Sequence, residues 1–154
     1  MKKILFITTR NPYSGRFSGD VLRASRVIKL LKGKFHVDVV FLDKKNSKFK
    51  NNRGFKRPNF FLKIFYSFIS FLKIEPIQFG LFYSSDFKNY IQKNFNKYDL
   101  LFFHQIRSVQ YFPSNYFGNA ILEMGDMYSD NYKQTYNHLN KINPMFYFYF
   151  IESL

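Results

Sequence analysis

Three polar clusters hold residue types that can do chemistry, and each follows an apolar run. Arg10, Gly19, Asp20 and Arg23 come after Ile4-Leu5-Phe6-Ile7; His104 and Arg107 come after Leu100-Leu101-Phe102-Phe103; Gly125, Asp126 and Ser129 come after Ala120-Ile121-Leu122. His104 can donate a hydrogen bond to a hydroxyl or a phosphate, or act as a general base. A lone histidine is more often a structural donor. Arg107 offers phosphate a planar fork, unless it is a plain surface arginine. Gly19 stands at the entry to a helix, where a missing side chain and free N–H groups favour an anion. Asp20 suits the first helical turn; a loop glycine followed by a capping aspartate reads the same way. Asp126 can orient a substrate hydroxyl or His104, or cap the next helix.

Several chemistries find no pattern here. Gly15 and Gly19 do not fit G-x-G-x-x-G, and no P-loop Gly-Lys-Ser/Thr follows. There is no H-E-x-x-H, and His36, His104 and His138 are scattered, so no metal and no bound cofactor is expected. The G-x-S-x-G elbow of serine hydrolases is absent too. With no cysteine, the chain has neither a disulfide framework nor a thiolate site, which is compatible with a reducing cytoplasm.

The elements that position these clusters follow from periodicity. The unbroken run Ile4–Ile7 reads as a parallel strand covered on both faces. Val21, Ala24, Val27, Ile28 and Leu31 recur at helical spacing, and Gly33 can end that helix. Val37 to Leu42 is a second buried strand, completing a right-handed βαβ unit. A helix from Ser84 through Phe95 leads to a third strand, Leu100–Phe103. Ala120–Leu122 makes a fourth strand. A polar-aromatic helix from about Ser129 to Lys141 and an aromatic one after Asn143-Pro144 follow. Strands alternating with helices predict an α/β fold, a doubly wound parallel sheet with helices on both faces. Ligands of such sheets sit outside the carboxyl ends of the strands, where the three clusters fall.

Two segments stand apart. Residues 44–58 are polar and basic with no acidic residue, and read as a basic loop insertion. Asn59 to Lys73 reads as an amphipathic helix, with Phe60, Phe61, Ile64, Phe65, Phe68, Ile69 and Leu72 on one face. That face either packs on the sheet or lies on an anionic membrane, where Arg57, Phe61, Lys63, Phe65 and Phe68 are the candidate contacts.

The 154 residues fit a single domain, and the formal charge of +14 favours acidic partners. Lys, Asn, Phe, Tyr and Ile are abundant together, which AT-rich coding produces without any partner. The basic residues are scattered and no recognition motif is present, so no nucleic acid is expected. Lys2-Lys3 precede only a short apolar run, unlike a signal peptide. No apolar run approaches the ~18 residues of a spanning helix.

Met1 to Tyr13, followed by Ser18-Gly19-Asp20 and Arg23, resembles the opening of family 4 glycosyltransferases (glycosyl transferases group 1). There a strand and a Pro-containing loop lead through a GGD-x-x-R-like turn into the first helix; Ser18 takes the place of the first glycine. Tyr98 to His104 resembles that family's strand ending in histidine. Ile121 to Ser129 resembles its strand end with two acids and a serine, Glu123 replacing an acid of shorter reach. The resemblance implies a Rossmann-like domain, the N-terminal, acceptor-side half of the two-domain GT-B architecture. It implies retaining transfer of a sugar from a nucleotide-sugar, the co-substrate, to a glycan or lipid-linked acceptor, as in polysaccharide biosynthesis. Gly19 then lies near the donor diphosphate, with Asp20, Arg23, Arg107 and Ser129 as further substrate-binding residues. His104 and Asp126 take the catalytic positions. The family's C-terminal pair of glutamates, seven residues apart, is missing, since only Glu75, Glu123 and Glu152 occur. The expectation is an N-terminal domain incomplete at its C-terminus, inactive without its GT-B partner domain. The expected location is the cytoplasm, or the inner face of the cytoplasmic membrane as a peripheral protein.

Overall fold

Ile4 to Ile7 presents apolar side chains to both sides of the pleat, so a strand made from it needs cover on both faces. In the computed structural model, which describes residues 1–15, 18–125 and 128–153, this strand is β1 (Lys3–Thr8), and residues Leu5–Ile7 are fully buried. It is followed by α1 (Gly19–Lys32), β2 (His36–Asp43), β3 (Ser47–Phe49), β4 (Asn52–Lys56), α2 (Phe60–Leu72), α3 (Ile77–Leu81) and α4 (Ser85–Asn94). Then come β5 (Leu100–His104), a 3-10 turn over Ile106–Tyr111, β6 (Asn119–Glu123), α5 (Tyr128–Asn137) and α6 (Pro144–Glu152). The sheet order is β3-β4-β2-β1-β5-β6, and every pairing is parallel except β3 with β4. This is the α/β, Rossmann-like architecture expected from the alternation.

The pleat sorts the core into two layers. Ile4 and Phe6 join Val37, Val39, Phe41 and Phe102 beneath Ala24 and Ile28 of α1. Leu5 and Ile7 join Val40, Leu42, Phe55, Leu101 and Phe103 beneath Phe87 and Ile91 of α4, with Phe95 and Tyr111. Each large side chain so buried is worth about 1.5–3 kcal/mol relative to exposure.

Residues 44–58 are not a simple loop: they carry the β3–β4 hairpin, turned at Lys50 with φ 45°. The reason is the open edge of β2. β4 pairs along it, with the Val39 N–H donating to Asn51 O at 2.9 Å and the Arg57 N–H to Asp43 O at 2.9 Å. Phe55 enters the core beside Phe87, and the Arg53 guanidinium lies over the Phe55 and Tyr90 rings at 5.2 and 4.7 Å. Polar residues on a short edge strand hide it from a periodicity argument. The apolar stretch around Phe79 forms α3. Ser84 stands at the N-cap of α4, but its hydroxyl donates to Lys56 O at 3.4 Å rather than bonding the helix.

α2 reverses the usual amphipathic arrangement. Asn59 caps it, its side chain accepting from the Leu62 N–H at 2.9 Å. Only Ser70 is buried; Phe60, Phe61, Ile64, Phe65, Phe68, Phe71 and Leu72 are all exposed. The half-buried side is Lys63, Tyr66, Ser67 and Ile69, flanking Ser70. α3 approaches this side backbone to backbone at Gly80, where a Cβ would lie 2.2 Å from Ser67 N and 2.3 Å from Tyr66 C. The helix ends in a Schellman motif, the Glu75 N–H donating to Ser70 O at 2.9 Å, with Ile74 at the left-handed position (φ 57°). Ile74 is 96% exposed.

Tyr111 links this outer layer to the core. It is fully buried, accepts from the Ser84 N–H at 2.9 Å and donates to Phe82 O, and burial pushes its phenol pKa up. Tyr111→Phe strands both backbone groups and should lower unfolding free energy by about 1–3 kcal/mol, read as a shift in the urea midpoint with an unchanged slope.

Candidate functional site

The chain leaves β1 toward β2 on one side and later places β5 on the other, so the sheet reverses order between β1 and β5. Such a reversal opens a crevice at the carboxyl ends of the two strands. The register sets Thr8, His104 and Glu123 side by side across β1, β5 and β6 at that end.

His104 is 1% exposed and stacks on Phe6 with ring centroids 5.8 Å apart. Its Nδ1 meets the Glu123 carboxylate, and its Nε2 lies 3.0 Å from the backbone carbonyl of Asp20. The carbonyl is only an acceptor, so Nε2 donates to it. Both ring nitrogens are therefore engaged, tying α1 and β6 to β5. In this arrangement His104 orients and rigidifies; a proton exchange with an outside ligand would run through Glu123, which is partly exposed.

Asp20 gathers the cations. Its carboxylate receives Arg10 Nε at 2.9 Å, Arg107 Nη2 at 3.3 Å and the Ser18 hydroxyl at 2.7 Å. Burial by itself pushes this carboxyl up. The Ser18 hydroxyl, Arg10, Arg107 and the Val21 N–H outweigh it and hold the pKa below its ordinary 3.8. Arg107 is buried at the start of the 3-10 turn with its guanidinium 4.6 Å from the centre of the Phe82 ring. Arg23, on the outer side of α1, reaches Glu123 at 3.4 Å. Gly125 leaves room for it: a Cβ there would lie 2.0 Å from Arg23 Nη1. Gln105, between His104 and the turn, has φ 74° and ψ 146°, a region costly for any residue but glycine. The Ser108 N–H and hydroxyl both donate to its carbonyl, at 3.0 and 2.7 Å, and hold the bend.

The structure thus brings Asp20, Arg23, His104 and Arg107 together, with Gly19 beside them as the first residue of α1. Among the described residues nothing would lie within 4 Å of a Cβ on Gly19, so their packing does not require glycine there. Asp126 lies outside the described residues; Ser129 is in α5, and its side chain is likewise outside them. Of the membrane-contact candidates, Phe61, Phe65 and Phe68 point outward from α2, whereas Lys63 is half-buried. Arg57 turns in toward the sheet, its Nη2 donating to Leu42 O at 3.3 Å. Among the described residues no group of His, Asp and Glu can hold a metal ion.

Sequence reasoning set Arg10 in the first strand-end cluster and Glu123 in the family resemblance but gave neither a binding or catalytic role, yet they complete the cluster. Glu123 had a signal: it closes an apolar strand as His104 does, so parallel pairing sets the two abreast. Arg10 had only its place after the first strand. A second feature had no signal. A polar cavity of about 290 Å³ opens next to the cluster, between the ends of β1, β2 and β4, lined by Arg10, Asn11, Ser14, Ser18, Val21, Asp43, Lys44 and Arg57.

The folded pKa of Asp20 lies below its unfolded value. Its contribution to stability is therefore complete above about pH 4 and is lost as pH falls through the folded pKa. Asp20→Asn should be less stable than the parent at pH 6, and its urea midpoint should fall less between pH 5 and pH 3.

No protein-family model matches the chain, and no curated protein matches it in sequence.

Proposed function

We propose that this domain binds a phosphate-bearing substrate at the β1/β5 crevice for glycosyl transfer, as the acceptor-side half of a family 4, GT-B-type glycosyltransferase. The observation that carries the reading is the coincidence of the strand-order reversal with the Asp20–Arg10–Arg107 and His104–Glu123 cluster. Arginines at a switch point suit an anionic ligand, and the reversal is where sheets of this kind hold one. The resemblance in the order of the three strand-end clusters supplies the reaction class. It implies a retaining transfer with a nucleotide-sugar as donor and a glycan or lipid-linked acceptor. The donor-binding glutamate pair is not in these residues, so transfer needs the partner domain. A panel of nucleotide-sugars and glycan acceptors should give binding without turnover by the 154-residue chain. Arg23→Gln, on an exposed side chain, should weaken that binding about fivefold to tenfold. Absence of any such binding sinks the reading, and robust turnover by this chain sinks its two-part form.

A second reading, compatible with the first, is favoured by α2. Most of its apolar residues face outward, while the side toward the protein carries Lys63, Ser67 and Ser70 with Tyr66 and Ile69, which is unlike a helix that serves a core. No described helix is long and apolar enough to cross a membrane. A helix about 20 Å long with an outward aromatic face on a basic protein is suited to lie in the surface of an anionic bilayer. Ile74 strengthens this reading, because a β-branched residue is kept in a strained conformation while almost fully exposed. Phe65→Asp should reduce binding to phosphatidylglycerol vesicles by about tenfold or more. Ile74→Gly should weaken vesicle binding while raising folding stability by about 1 kcal/mol. Vesicle binding that both variants retain excludes α2 as the contact.

A further inference from the structure

The polar cavity beside the cluster is not explained by either reading. We propose that it is a second binding site, for a phosphate ester, adjoining the crevice at Arg10 and recognised by Arg10, Lys44 and Arg57 together. This inference does not rest on the transferase reading.

Among the described residues of the lining, three side chains are cationic and one, Asp43, is a carboxylate. Asp43 is already engaged by Asn11 Nδ2 at 2.6 Å and by the Lys44 N–H at 2.7 Å. Its charge is thereby partly satisfied from within the protein. Arg10 is oriented by Asp20 through Nε, and Arg57 by the Leu42 carbonyl through Nη2. These contacts hold both guanidiniums at the cavity wall before any ligand arrives. Ser14 adds a hydroxyl donor, the Ser18 hydroxyl being engaged by Asp20, and among the described residues Val21 is the one apolar residue in the lining. A tetrahedral anion with several acceptor oxygens satisfies donors arriving from several directions, which a planar carboxylate cannot do.

The size narrows the ligand. About 290 Å³ lies at the lower end of small-molecule pockets. It suits a phosphate with a short polar attachment rather than a whole nucleotide-sugar. The position narrows it further. Arg57 lines the cavity, and α2 with its outward apolar face begins at Phe60, three residues on. A phosphate held at Arg57 would lie close to the start of that face. The shared chemistry is thus a phosphate ester, which either a lipid headgroup or a soluble compound can present.

Titration of the full chain with inorganic pyrophosphate at low salt tests the site. Saturable binding of one equivalent is expected. Lys44→Gln, on an exposed side chain, should weaken it about fivefold to tenfold, and Asp43→Asn should tighten it about threefold. The gain in Asp43→Asn is a result that misfolding does not produce. Competition of pyrophosphate with vesicles containing phosphatidic acid separates the two sources. Displacement that Lys44→Gln abolishes assigns the site to a headgroup, and pyrophosphate binding without displacement assigns it to a soluble ester. No saturable binding by the parent chain, or unchanged binding in both variants, overturns the site.

Discussion

Parallel pairing of β1 on both of its edges is the constraint on which the rest depends. A parallel strand can be joined to its neighbour only by a crossover, and each crossover puts a helix on a face of the sheet. Because β1 has β2 on one edge and β5 on the other, the chain must pass to opposite sides of it. That requirement buries Ile4 and Phe6 under α1 and Leu5 and Ile7 under α4. It also creates the crevice at Thr8 and His104, since the two crossovers diverge there.

The crevice is occupied by the protein's own groups. His104 binds α1 through a backbone carbonyl and β6 through Glu123, while Asp20 draws Arg10 and Arg107 onto the first turn of α1. These contacts neutralise charge where the interior begins, and they fix where α1 starts relative to the strands. On the β2 side, Lys44 and Arg57 border an open cavity. Within the crevice network His104 and Arg107 are buried and set geometry, while Arg10 and Arg23 stay partly exposed at its rim.

α2 shows how the same pattern of residues has two structural meanings. An apolar stripe states that one side of a helix avoids water, not which surface covers it. Here the strand edge beside β2 is taken by the β3–β4 hairpin, and α4 with Tyr111 fills the adjoining face. α2 is left outside, resting on α3 by its small and polar side, where Gly80 allows close contact.

The strands β1, β2 and β5, the helix α1 and the doubly wound arrangement were legible in the sequence because runs such as Ile4–Ile7 and Leu101–Phe103 have no polar face to offer water. The convergence of Gly19, Asp20, Arg23, His104 and Arg107 was legible for the same reason: in a parallel sheet, strand ends share a side. Periodicity is silent about contacts distant in sequence. The β3–β4 hairpin needed the edge of β2, Glu123 and Arg10 became site residues only through register and helix placement, and the cavity at Lys44 and Arg57 exists only between three strand ends. The outward direction of α2 was decided by competition for cover on the sheet. Local sequence sets which side chains shun water, and only the folded chain settles which surfaces remain to receive them.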